Sequence, residues 1–300
     1  MTIEPPAPGE PRRPHGPRDP GDAWVVAPTG EKYWGRFGAA GLLALDPERG
    51  VLLQHRVSWS HFGGTWALPG GARHEGESAR DGALRESGEE AGVPVDAVRA
   101  RFESVLDLGI WSYSTLVADV TTPFAPVISD PESVALEWVA VDRVTQLPLH
   151  PGFAASWPAL RTALDARPAI VVDVANVMGS VPDGWWKDRA GAATRLVTKT
   201  SRLVERGVDA DLLGLSATRW FPRVIAVLEG QAKAAEPPAP ALEVRRAPGE
   251  GDDEIVAAVR DLAGAFAPVV VVTGDRELSA RVEALGATVR GASWLLDQLS

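Results

Sequence analysis

The sequence predicts an α+β domain over residues 21–166 and an α/β domain with a doubly wound parallel sheet over 167–300, behind a structureless tail at 1–20. Three observations carry this. Residues 1–20, MTIEPPAPGEPRRPHGPRDP, are dense in Pro, Gly and charge and almost empty of apolar side chains, so they bury too little to offset the entropy of ordering. Residues 37–93 pass from short apolar runs through a glycine turn into a charged stretch with helix start and stop signals. From Arg167 onward, continuous apolar runs alternate with amphipathic stretches, the pattern of strands buried on both faces between helices.

Length and composition agree with two domains. Three hundred residues, 45% hydrophobic and 23% charged, are enough for two ordinary cores. The formal charge of −10 argues against holding nucleic acid by bulk charge, though it permits a local basic groove. The absence of cysteine excludes disulfides and thiolate metal sites. No run of 18 or more apolar residues occurs and the N-terminus lacks a signal pattern, so a soluble cytoplasmic protein with no membrane partner is expected. Nothing in the residues sets an oligomeric state.

In chain order, His15 in the tail reads as an exposed bystander. AAGLLALD, a turn at Pro47 to Gly50 and VLLQHRV form a hairpin. The loop VSWSHFGGTW carries Trp59, His61, Phe62 and Trp66, which could stack on a nucleobase or simply pack. The next segment, GARHEGESARDGALRESGEEAGV, starts a helix at Ser78 with Asp81 three residues on and stops it at Gly92 before Pro94. Glu86, Glu89 and Glu90 fall at i, i+3 and i+4, so their carboxylates share a face and repel unless a hard cation such as Mg²⁺ or Mn²⁺ sits among them. Arg85 is expected to point away from that face and reach back to Glu77, while Gly70 and Gly71 let a backbone carbonyl approach the metal. A solvated acidic helix face is the bland alternative.

The spacing of Gly71, Glu77, Arg85, Glu86, Glu89, Glu90 and Gly92 is that of the Nudix signature, G-x5-E-x7-R-E-U-x-E-E-x-G-U with U apolar, and the segment closely resembles it. Ser87 departs, standing where the family usually has an apolar residue. The lead-in GGTWALPGG resembles the family as well. The resemblance covers 21–166 and implies a mixed-sheet α/β/α sandwich. It also implies a pyrophosphohydrolase that splits a nucleoside diphosphate linked to another moiety. Gly71, Glu86, Glu89 and Glu90 would then hold Mg²⁺ or Mn²⁺, and Arg85 and Glu77 would brace them; of the loop aromatics named above, Trp66 is the one expected to meet a nucleotide-type substrate.

Strands are expected at Arg101 to Leu108, Trp111 to Val120 and Ala135 to Val141, and a closing helix at Pro158 to Ala166. Asp130 and Glu132 lie in a loop that supplies an extra carboxylate in some relatives, but an ordinary Asp-Pro turn fits equally, and His150 in LPLHPG has the same standing.

In the second half, AIVVDVANVMG ends a buried strand at Asp173 and Asn176, RVIAVLEG another at Glu229, and APVVVVTGD a third at Asp275. A helix from about Ala192 to Arg206 presents Arg195, Lys199, Arg202 and Arg206, with Arg189 nearby, as a partly basic face suited to phosphate. Asp173, Glu229, Asp252, Asp253 and Asp275 fall at strand ends or helix starts on one sheet edge, the arrangement a metal-dependent phosphodiesterase uses. Asp252 and Asp275 also read as helix N-caps and Asp173 as structural. The succession VVDVANV, VLEG, GEGDDEIV and VVVTGDREL resembles the PIN-like nucleases of the NYN branch. That resemblance implies RNA as a partner, Asp173, Asp252 and Asp275 as ligands of Mg²⁺ or Mn²⁺, Asp253 and Glu229 as lesser ones, and Asn176 as a group orienting water or phosphate.

Overall fold

The computed structural model describes residues 1–6, 21–182, 184–236 and 242–299. They fall into two compact units, 1–162 and 163–300.

Unit 1 begins with an antiparallel sheet of β1 (Thr2–Glu4), β2 (Trp24–Val26) and β3 (Lys32–Trp34). The tail expected at 1–20 is therefore corrected at its start. Thr2 and Ile3 are β-branched, Ile3 pairs with Val25, and Lys32 Nζ reaches Glu4 at 2.7 Å, so the segment gains a ladder and an ion pair. Residues 7–20, His15 among them, lie outside the described residues.

The main sheet of unit 1 is mixed. It contains β4 (Ala39–Asp46), β5 (Gly50–Arg56), β6 (Trp66–Ala67), β7 (Gly70–Ala72), β8 (Val98–Asp107), β9 (Ser112–Val120) and β10 (Ser133–Val139), with the path β10-β5-β4-β9-β8. Only β4 and β9 pair in parallel along that path; β6 pairs with β5, and β7 with β4. AAGLLALD is central because seven of its eight residues are buried. Helix α1 (Ala79–Ala91) follows β7 and lies against β4, β7 and β9. Its start is capped by Ser78, whose Oγ accepts from Asp81 N–H at 3.1 Å, and its end by Gly92 at φ 64°, a left-handed position that favours glycine. Ser87, the departure from the expected pattern, is fully buried, and its hydroxyl donates to Leu84 O at 3.0 Å, so the polar group is satisfied.

Helix α2 (Pro151–Ala163) starts seven residues earlier than the sequence suggests. Phe153, Trp157 and Leu160 recur at i, i+4 and i+7 and are all buried, so the apolar face begins before Pro158, and Pro151 occupies the first helical position.

Unit 2 holds β11 (Ala169–Asp173), α3 (Val174–Gly179), α4 (Arg189–Arg206), β12 (Val208–Asp209), α5 (Ala210–Leu213), β13 (Arg219–Trp220), β14 (Arg223–Leu228), β15 (Glu243–Arg246), α6 (Gly251–Leu262), β16 (Val269–Val272), α7 (Arg276–Glu283), β17 (Thr288–Arg290) and α8 (Ala292–Leu299). Five of the strands form a sheet in the order β15-β14-β11-β16-β17, with every pairing parallel. The chain therefore starts at the centre, winds outward to one edge and returns to the other side of β11, the doubly wound topology expected. Val171, Ile225, Val227 and Val271 bury one face under α6 and α7 through Ile255, Val259, Leu278 and Val282. The alternate residues Ile170, Val172, Ala226 and Val272 are buried on the other face, where α4 lies against β14 and α8 against β16. No helix among the described residues is long and apolar enough to cross a membrane.

Candidate active site

The carboxylates of α1 meet the glycines of β7 at close range. A Cβ on Gly71 would lie 2.6 Å from Glu86 Oε2, so only glycine lets this carboxylate press against the strand backbone. Gly70 N–H donates to Glu90 Oε2 at 2.8 Å. Glu86 and Glu90 are both buried, one turn apart, whereas the Glu89 side chain is 55% exposed. The three expected on one face thus divide into an inward pair and a flanking third, because a step of i+3 rotates Glu89 toward solvent.

Arg85 does not point away as the sequence suggested. Its guanidinium grips Glu77 twice, at 2.8 and 3.0 Å, and also reaches Glu86 at 2.7 Å, Glu89 at 3.3 Å and Ala72 O at 2.9 Å. Five donors in a rigid fork, with carboxylates at i+1, i+4 and i−8, explain the difference. Hydrogen bonds from Arg85 hold Glu77 below the usual carboxylate range despite burial. Glu90 is pushed well above that range, first by burial, then by the charges of Glu86 and Asp130, with Gly70 N–H and Arg56 opposing.

Further groups come from outside the helix. Asp130 forms an Asx turn, with Oδ1 accepting from Glu132 N–H at 3.0 Å and from Ser133 Oγ at 3.1 Å, and burial raises its pKa. The turn reading therefore holds, and the carboxylate also acts electrostatically on Glu90. Tyr113 on β9 is half-buried, with its hydroxyl where a Cβ of Gly41 would stand, and desolvation followed by the charge of Glu90 raises its pKa. Arg56 at the end of β5 acts on Glu90, Tyr113, Asp130 and His150 alike. Sequence reasoning missed Tyr113 and Arg56, whose only signals were a tyrosine near the start of one strand and a polar residue closing another.

The donor set fits a hard divalent cation. It offers oxygen alone, and two of the carboxylates are buried beside each other against a glycine backbone with more negative charge than Arg85 balances. As placed, Glu86 and Glu89 are drawn to Arg85 and Glu90 to Gly70, and no group of three acidic or histidine side chains among the described residues is already gathered to hold an ion.

In the loop after β5, Trp59 and Phe62 are 44% and 47% exposed, and His61 packs edge-on to Trp24. Trp66, expected to meet a base, is instead buried with its ring stacked on His55 at 4.7 Å, because β6 delivers it to the core beside β5. His150 Nδ1 accepts from Gly152 N–H at 3.1 Å. Its pKa is lowered to about 4 by burial, then by the charges of Arg56 and His61. A folded-state value below the unfolded one near 6.5 means fewer protons bound when folded, so stability is lost as pH falls from about 6.5 toward 4. His150→Gln is expected to lose less stability than wild type between pH 7 and pH 5 in urea titrations.

In unit 2, Asp173 ends the central strand and is 8% exposed. It caps α3 through Asn176 N–H at 3.0 Å and accepts from Thr273 Oγ1 at 2.8 Å. Burial raises its pKa, and the charges of Glu229 and Asp275 add to that effect. Asp252 is raised by burial and by Asp275 and Asp173. Asp275 caps α7 through Leu278 N–H at 2.8 Å, and Glu229 accepts from Gly251 N–H at 2.8 Å. These four feel one another at the carboxyl edge of the sheet. Asp253 does not join them, since its side chain is 73% exposed and paired with Arg281 at 2.5 Å on the outer side of α6. Asn176 Oδ1 is engaged by Gly274 N–H at 2.8 Å, tying the loop before α7. Arg195, Lys199, Arg202 and Arg206 lie on the exposed face of α4, and Arg189 sits over Trp185 at 5.3 Å.

The model of the NUDIX domain matches residues 35–161. A Mycobacterium tuberculosis H37Rv protein provisionally named 8-oxo-dGTP diphosphatase 3 is 49% identical over 156 residues, 49% of this chain and 71% of the relative. The nucleoside triphosphate pyrophosphatase/Nudix hydrolase fusion protein of Bifidobacterium longum is 40% identical over 154 residues, 49% of this chain and 32% of that protein. Among solved structures, RenU, a Nudix hydrolase from M. smegmatis, is 46% identical, with 48% of this chain and 96% of that one covered at a TM-score of 0.45.

Proposed function

The chain belongs to the Nudix family and is a pyrophosphohydrolase, and from that premise we propose that unit 1 splits the diphosphate of a nucleoside diphosphate linked to another moiety. One observation carries this reading. Glu86 and Glu90 are buried together against the Gly70–Gly71 backbone, with a single guanidinium bridging their edge to Glu77. Glu86, Glu89, Glu90 and the carbonyl of Gly71 would hold Mg²⁺ or Mn²⁺, which supplies neutralisation of charge on the phosphoryl oxygens. Gly70 N–H fixes the Glu90 carboxylate against the strand. Arg85 holds Glu86 and Glu77 in place, and Glu77 binds the loop back through His74 N–H at 2.9 Å. A carboxylate among Glu86, Glu89, Glu90 and Asp130 accepts the proton of the attacking water. The M. tuberculosis relative's name places oxidised guanine nucleoside triphosphates in the panel to be tried.

A second reading, a metal-dependent ribonuclease of PIN-like type in unit 2, is favoured by the mutual electrostatic reach of Asp173, Glu229, Asp252 and Asp275 at the carboxyl edge of a parallel sheet. Unit 1 would then recognise a nucleotide or an RNA end for it. Assaying a nucleotide panel and short RNA with Asp173→Asn and Glu90→Gln side by side separates the two. The main reading expects nucleotide hydrolysis to be lost only in Glu90→Gln, and it fails if that variant keeps wild-type turnover. RNA cleavage lost only in Asp173→Asn would establish the second.

A further inference from the structure

The loop after β5 and the residues leading into α2 build a feature that the chemistry above does not use. The bond from Gly152 N–H occupies His150 Nδ1, which leaves the ring proton on Nε2. With its pKa held near 4, the ring is uncharged at neutral pH and offers one N–H donor. Phe62 stands edge-on to it, with centroids 4.8 Å apart at 83°. Phe62 has a φ of 55°, a left-handed conformation that is strained for a non-glycine residue. Thr65 Oγ1 donates to its carbonyl at 2.6 Å, yet the ring stays 47% exposed, so the strain presents the ring rather than burying it. Arg56 Nε is shielded from solvent and has no hydrogen-bond partner. The same guanidinium acts electrostatically on Glu90, Asp130 and His150, and the backbone of Arg56 pairs with that of Thr65 and Gly64 in the loop that carries Phe62.

We propose that His150, Phe62 and Arg56 form a purine subsite that selects 6-oxopurine over 6-aminopurine nucleotides. The inference rests on the reading of unit 1 as a nucleotide hydrolase and names which bases it takes. Guanine and hypoxanthine present two adjacent acceptors, O6 and N7, whereas adenine presents N7 beside an amino donor. Guanidinium and an Nε2–H imidazole only donate. An adenine amino group brought to this edge meets a donor, and both groups lose their hydrogen bonds to water without replacement. The exposed ring of Phe62 adds stacking that every base can use.

Binding of IMP, GMP and AMP to the intact protein, measured by calorimetry, tests this without turnover, since a monophosphate has no diphosphate to split. Wild type is expected to bind IMP and GMP about tenfold or more tightly than AMP. His150→Phe removes the donor and brings that ratio close to one, while His150→Arg, again a pure donor, restores it. Phe62→Ala weakens all three ligands alike. AMP binding as tightly as IMP, a ratio unchanged in His150→Phe, or no binding of any of the three would overturn the proposal. Discrimination between IMP and AMP in a protein that hydrolyses no nucleotide would leave this subsite standing and sink the hydrolase reading instead.

Discussion

Glu90→Gln is expected to cost about 10³-fold in nucleotide turnover, the scale for removing a group that serves the transition state's charge, while raising the melting temperature of the metal-free protein. The two effects share one cause. Glu90 is buried beside Glu86 and within reach of Asp130, so its charged form is disfavoured and its pKa raised. A carboxylate whose folded value is raised contributes stability below its unfolded value near 4.5 and loses it as pH climbs through the folded one. The stability gap between Glu90→Gln and wild type should therefore widen from pH 5 to pH 8 in metal-free urea titrations. Gln retains an oxygen for Gly70 N–H and has nearly the same volume, so the fold has no reason to change. A variant as active as wild type, or one destabilised more at pH 8 than at pH 5, would contradict this account. On this account the arrangement trades stability for function, since it concentrates negative charge where the proposed cation would sit.

Arg85→Ala is expected to remove both activity and stability, the latter by about 3 kcal/mol, because it takes away the guanidinium that pairs with the largely buried carboxylates of Glu77 and Glu86. Arg85→Lys should recover only part of either, since an ammonium cannot grip Glu77 with two bonds while also reaching Glu86 and Ala72 O. In a double-mutant cycle, Arg85→Ala with Glu77→Gln should be less than additive. Strict additivity would mean the guanidinium does not couple the loop to the helix.

Much of this molecule was legible in the sequence because its signals are local. Ser78, Asp81 and Gly92 announce the ends of α1 within a few residues of where they act, and VVVV with AIVVD announces a buried parallel sheet. The partners of Arg85 were less legible, since spacing fixes which residues can meet and not which of several carboxylates a long side chain will choose. Trp66 looked like the exposed aromatics Trp59 and Phe62 until β6 carried it into the core. Asp253 follows Asp252 directly, yet a step of one residue on a helix turns it toward Arg281 and solvent. Arg56, Tyr113, Asp130 and His150 were hardest, because each is a single residue on a different element, and only the fold of unit 1 brings the first three within electrostatic reach of Glu90 and His150 within reach of Arg56.

The central claim is that the carboxylates of α1 hold the divalent cation that nucleotide hydrolysis requires. A titration of Mn²⁺ followed by electron paramagnetic resonance tests it most directly, on Asp173→Asn protein to silence unit 2 and on the Asp173→Asn/Glu90→Gln double variant. The account predicts a bound ion in the first protein that is lost or weakened at least tenfold in the second. Equal Mn²⁺ binding by both would show that the carboxylate helix is not the metal site.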